Sequence, residues 1–168
     1  MTPQASPLGR YDDSTGDEPL HEVQLLKLPV RVLAAGRQHH DELMHEFALI
    51  AVSATEPENV PKRFVDLVET LGTRYAATAE RPETEVDAAL QRGDDTVDLV
   101  YHVPAHVVEA ADRLARLMDE ADEFCRAEAM LTLERTPVER AFAQWYLDEF
   151  RRQINGEPAR PWDGPLDL

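Results

Sequence analysis

Two stretches of the chain, 75 residues apart, carry one pattern. The first reads VQLLKLPVRVLAAGRQHHDELMHEFALI from Val23, the second DLVYHVPAHVVEAADRLARLMDEADEFC from Asp98. The offset carries Pro29 to Pro104, Val32 to Val107, Ala35 to Ala110 and Leu43 to Met118. A repeat of this length is one supersecondary unit that buries its apolar face against its copy. It constrains the architecture strongly and the activity hardly at all.

Each copy opens on a strand pattern. Val23, Leu25 and Leu28 lead to Pro29, with Val30 beyond, so a short strand should end at that proline. The second copy is clearer: Val97, Leu99, Tyr101 and Val103 share one face, with Asp98, Val100 and His102 on the other. Two strands are marginal alone, so the two copies should pair with each other. A long amphipathic helix follows each strand. Leu33, Gly36, His40, Leu43, Phe47 and Ile50 recur at spacings of three and four, as do Val108, Ala111, Leu114, Met118, Ala121 and Cys125.

A second helix closes each unit. In the first, Val60, Phe64, Leu67, Val68, Leu71 and Tyr75 mark its face, with Asn59 or Val60 near the cap and Pro61 in the first turn. In the second, Val138, Phe142, Tyr146, Phe150 and Ile154 follow a Thr136-Pro137-Val138-Glu139 capping box, and Gly156 is a stop. Glu80–Thr96 reads as a connector with a short helix around Val86, Ala89 and Leu90, turning at Gly93-Asp94-Asp95. Met130–Leu133 reads as a short extended piece.

The expected fold is mostly α (α+β): duplicated strand–helix–helix units, about 21–79 and 96–155, forming a four-helix core with a short antiparallel two-stranded ribbon. They make a single domain over 20–155. Residues 1–19 are too polar to offset chain entropy and read as a disordered N-terminal segment. Residues 156–168, with Pro158, Pro161, Trp162 and Pro165, read as an extended Pro/Trp tail.

A chain of 168 residues with 43% hydrophobic and 30% charged residues is long enough for a core without staples. Its formal charge of −16 argues against nucleic acid and anionic membranes as partners. The single cysteine, Cys125, rules out an internal disulfide and reads as a buried small hydrophobe. No signal-peptide h-region or membrane-span pattern is visible, so a cytoplasmic location is expected.

One segment carries metal-ligand chemistry in its spacing: His39, His40, Asp41, Glu42, Leu43, Met44, His45, Glu46. Glu42 and His45 form the Glu-x-x-His pair that di-iron bundles use twice. The repeat sends Glu42 to Leu117 and His45 to Glu120, so the second copy lacks it. His39, Asp41, Glu42 and His45 are therefore weak metal candidates on a charged helix face, and no cofactor is expected. His40 lies on the apolar stripe and reads as a core histidine with a hydrogen-bonded ring nitrogen. The pairs Asp119-Glu120 and Asp122-Glu123 read as a solvated helix face. No nucleophile elbow or glycine-rich phosphate loop occurs, and no catalytic residue is assigned. Trp145 and Trp162 are the candidates for protein binding: Trp145 at the edge of the last helix's stripe, Trp162 in the tail, where it either folds back or anchors a partner.

HHDELMHEFALI, VPKRFVDLVETLGTRY and FAQWYLDEFRRQI, followed by Pro161-Trp162, resemble a family of short, uncharacterised actinobacterial proteins, often encoded beside STAS-domain antagonists and ATP-binding anti-sigma factors. The resemblance spans roughly Leu20 to Trp162, and its motifs name no catalytic residue. It implies a non-enzymatic regulatory or adaptor protein, with a STAS-domain or anti-sigma protein as partner in a sigma-factor partner-switching module. The chain's opening strand, Leu-Pro and helix also resemble the start of anti-sigma ATPase domains. The Asp-x-Gly-x-Gly box of such a domain is missing, however, since Pro165 follows Asp163-Gly164. A small-molecule- or metal-binding helical bundle is the alternative, and a homodimer completing the bundle across a twofold axis is compatible with the pattern.

Overall fold

The computed structural model describes residues 18–53, 59–127 and 130–168. The order is β1 (Leu20–Pro29), α1 (Val30–Ser53), α2 (Val60–Arg92), β2 (Thr96–Pro104), α3 (Val107–Ala127) and α4 (Pro137–Ile154). The fold is mostly helical, with one two-stranded antiparallel sheet. The segment expected to be disordered, 1–19, lies outside the described residues except for Glu18 and Pro19.

The ribbon realises the repeat. Gln24 faces Val100 and Leu25 faces Leu99, and the 75-residue offset sends Gln24 to Leu99 and Leu25 to Val100. The two copies thus exchange about the middle of the ladder, as a pseudo-twofold requires. Strand alternation buries Val23 and Leu25 on the inner face, and then an irregularity between Leu25 and Leu28 resets the phase. Lys27 takes a positive φ of 53° there, which brings Leu28 back to the core side. The backbone groups this frees are met from elsewhere: the Lys27 N–H donates to Asp98 Oδ1 at 2.7 Å, and the Leu26 carbonyl accepts the Trp162 N–H at 3.0 Å.

The helix start signals act as read. The Asn59 side chain accepts the Lys62 N–H, and Thr136 and Glu139 cap each other reciprocally at the head of α4. The connector departs from expectation. In place of a short separate helix, α2 runs unbroken for 33 residues through Pro82 to Arg92, and Gly93 at φ 75° ends it. Proline costs an interior helix one hydrogen bond. Burial sustains the helix here, because Pro82, Val86 and Ala89 all face the interior. Met130–Leu133, expected as a short extended piece, bends at Leu131 and Thr132, with Leu131 94% exposed. Its Leu131 and Thr132 N–H groups donate to the Glu46 carboxylate at 3.0 and 2.9 Å.

Two apolar clusters form the interior. The first joins Val23, Leu25, Leu28, Leu99 and Val103 of the ribbon to Phe142, Trp145 and Phe150 of α4 and to Trp162. The second joins Leu43 and Phe47 of α1 to Phe64 of α2 and Ala121 and Cys125 of α3. Phe47 meets Phe64 and Phe124 edge-on, at 5.6 and 5.7 Å between ring centres. Among the described residues no helix is long and apolar enough to cross a membrane.

Candidate functional site

Helices α1 and α4 both lean on their neighbours more than on each other, and a cleft of about 270 Å³ opens along that seam. It lies between the two clusters. Leu33 and Leu43 of α1 and Phe64 of α2 line one side, and Met118 and Ala121 of α3 with Phe142 and Tyr146 of α4 line the other. Gly36 adds room, since a side chain there would meet nothing within 4 Å. The walls are almost wholly apolar.

Polar groups converge at a few points only. His40 turns its ring into the cleft beside Phe64, 6.2 Å away between ring centres. Burial holds this imidazole below its ordinary value; Asp41 offsets part of that effect and His39 adds to it. The ring is therefore neutral at pH 7, with one donor and one acceptor nitrogen. Among the described residues it makes no hydrogen bond, which corrects the expected satisfied core histidine. The Tyr146 hydroxyl donates to the Tyr101 hydroxyl at 2.8 Å, and burial raises both phenols, so neither ionises near neutrality.

The lip of the cleft carries a buried ion pair. Asp122 accepts from the Arg135 backbone N–H at 2.9 Å, from Nε at 3.0 Å and from Nη2 at 2.8 Å; Nη2 also reaches Asp119 at 3.0 Å. Asp122 was expected on a solvated face. Its alternation with apolar neighbours resembles a surface acid, and only the fold brings Arg135 back across 13 residues. No local signal announces that pair.

The weak metal candidates do not converge. Asp41, Glu42 and His45 are exposed along α1, and Glu42 accepts from Gln38 at 3.0 Å. His39 and Asp41 touch the cleft's edge. Among the described residues no three His, Cys, Asp or Glu side chains gather as a metal site. Cys125 is buried, and burial with Asp122 and Glu46 nearby pushes its thiol up to about 11, far from a reactive thiolate.

The two tryptophans named for protein binding are core residues, 6% and 8% exposed. Phe142, Trp145 and Trp162 form a ring cluster with centres 5.5 to 5.9 Å apart. Trp145 Nε1 donates to the Arg160 carbonyl at 3.0 Å and Trp162 Nε1 to the Pro165 carbonyl at 2.9 Å. Glu149, fully buried, receives Arg152, Gln153 and the Arg160 N–H at 2.7 to 2.9 Å and so fastens the tail to α4. Apolar burial and satisfied N–H groups fold the tail back, leaving neither ring free as an anchor. Gly164 permits this, because a side chain there would strike the Trp162 ring.

No protein family matches the chain. Neither a curated protein nor a solved structure matches it.

Proposed function

We propose that the protein is a non-enzymatic small-molecule-binding domain whose ligand enters the cleft between α1 and α4. The observation that carries this reading is the apolar cavity faced by a neutral imidazole that makes no hydrogen bond among the described residues. Apolar pockets holding a few aimed polar groups are the usual form of a ligand site. A cavity of about 150 Å³ takes benzene, so 270 Å³ suits a two-ring aromatic or a compound of similar bulk. His40 would fix its orientation through one hydrogen bond to a hydroxyl or amide. A charged head group is disfavoured, since the apolar walls leave it unsolvated.

The test is thermal unfolding with 2-naphthol, a two-ring compound carrying one hydroxyl. Saturation at a roughly hundredfold excess over Kd should add about 2.7 kcal/mol of stability. Gly36→Phe, which sends a ring into the cleft, should abolish the shift while the fold is retained. An unchanged midpoint at the solubility limit would defeat the reading.

A second reading, regulation through contact with another protein, is favoured by one observation. Leu131 and Leu133 stand exposed on the loop that Glu46 pins beside the last turns of α1, where Val52 is 90% exposed. Contiguous exposed apolar patches mark contact surfaces, and these side chains would contribute to one. A STAS-domain or anti-sigma protein is the partner implied by the sequence resemblance. Leu131→Ser with Leu133→Ser should then weaken binding to such a purified partner without altering stability.

A further inference from the structure

The arginines of this acidic chain are almost all spoken for. Those at 31, 37, 63, 81, 92, 126, 135, 151, 152 and 160 form ion pairs. Arg140 donates to a backbone carbonyl, and Arg74 lies over the Tyr75 ring. Among the described residues Arg113 and Arg116 alone have no such partner. They are neighbours, one turn apart on α3, and they line the same groove of about 400 Å³ between α2 and α3.

Their isolation has a structural cause. Arg116 has an acid one turn away on either side, Asp112 and Glu120. Arg151 of α4 takes Asp112, and Arg63 of α2 crosses the groove to take Glu120. The helices thus withdraw both flanking counter-ions of Arg116, and Arg113 beside it makes no ion pair among the described residues although Glu109 stands one turn away, in a protein where acidic residues outnumber basic ones by 33 to 17. Arg63 adds a donor, because its Nε is buried without an acceptor. Asp66, the other acid of the groove, is engaged by Lys62 at 2.8 Å.

We propose that this groove binds the phosphate group of a small molecule, free or as a monoester, between Arg113, Arg116 and Arg63. Guanidinium groups recognise phosphate through paired N–H donors. Donors approaching from two helices suit a tetrahedral dianion better than a planar carboxylate. The surrounding negative field repels anions elsewhere on the surface, so the groove is a local exception to it. The site is separate from the α1–α4 cleft, and neither proposal depends on the other.

The full-length chain, titrated calorimetrically at low salt with inorganic phosphate and separately with phenyl phosphate, tests the assignment. Saturable binding is expected, weakening as salt is added. Equal affinities would identify free phosphate as the ligand; tighter phenyl phosphate binding would identify a monoester. Arg113→Gln with Arg116→Gln should weaken binding by about tenfold or more, as loss of hydrogen bonds to a charged group implies. Arg31→Gln with Arg81→Gln makes the same charge change away from the groove and should leave affinity unaltered. In the wild-type chain, side-chain NMR signals of Arg113 and Arg116 should move on titration, a readout independent of any variant's folding. Absence of saturable binding, equal loss in both double variants, or unmoved arginine signals would overturn the proposal.

Discussion

His40 shows how one position can fit a sequence pattern and still escape its meaning. Its place on the apolar stripe of α1 is plain from spacing. That its ring would face a cavity and not a packed partner depends on α3 and α4, which local periodicity does not report. The folded chain holds the imidazole below 6.5 through burial, so as pH falls the unfolded chain takes up the proton first. The sign follows: stability from this ring is complete above about pH 6.5 and declines below it, where protonation favours unfolding. Replacing His40 with Leu removes that titration. In urea melts the variant should therefore gain on wild type between about pH 7.5 and about pH 5.5. A constant difference across that range would show that the ring is not held neutral. The same lesson applies to Asp122, whose buried pairing with Arg135 is a property of the fold and of no local motif.

Elements were legible in proportion to how local their causes are. The strand of β2, the proline ends of both strands and the faces of all four helices follow from periods of two and 3.6. The Thr136–Glu139 capping box is a four-residue signal, and it is present in full. Thr136→Ala should cost about 1 kcal/mol, read as a lower denaturation midpoint with unchanged slope. Where tertiary burial decides, the sequence misleads. Pro82 argues for a break, yet α2 continues because Val86 and Ala89 cover the interior. Met130–Leu133 reads as extended from its apolar composition, but it bends so that its Leu131 and Thr132 N–H groups reach the Glu46 carboxylate. The shift near Lys27 needs a positive φ that lysine does not advertise. For the same reason the cleft was not legible: its walls come from all four helices, and no one of them announces the gap.

At the scale of the molecule, the duplicated units meet in the ribbon, and the tail completes the first cluster. Trp162 closes that cluster against Phe142 and Trp145 while its backbone bonds to the strand at Leu26. Gln153 reinforces the same edge, exchanging both amide bonds with the Gln24 backbone at 2.8 and 2.7 Å. The tail is thus part of the folded core, and Trp162→Ala should lower stability by about 3–5 kcal/mol, measured by denaturant unfolding. A loss below about 1 kcal/mol would mean that the tail is a detachable strap, as expected of surface changes. Between the clusters the bundle stays open, and that opening carries the functional account. The most direct test is a methyl-labelled NMR titration with 2-naphthol. Binding in the cleft should move the methyl signals of Leu43, Met118 and Leu147 together on one saturable curve, with those of Leu131 and Leu133 still. Unmoved cleft methyls, or movement confined to the exposed loop, would contradict it.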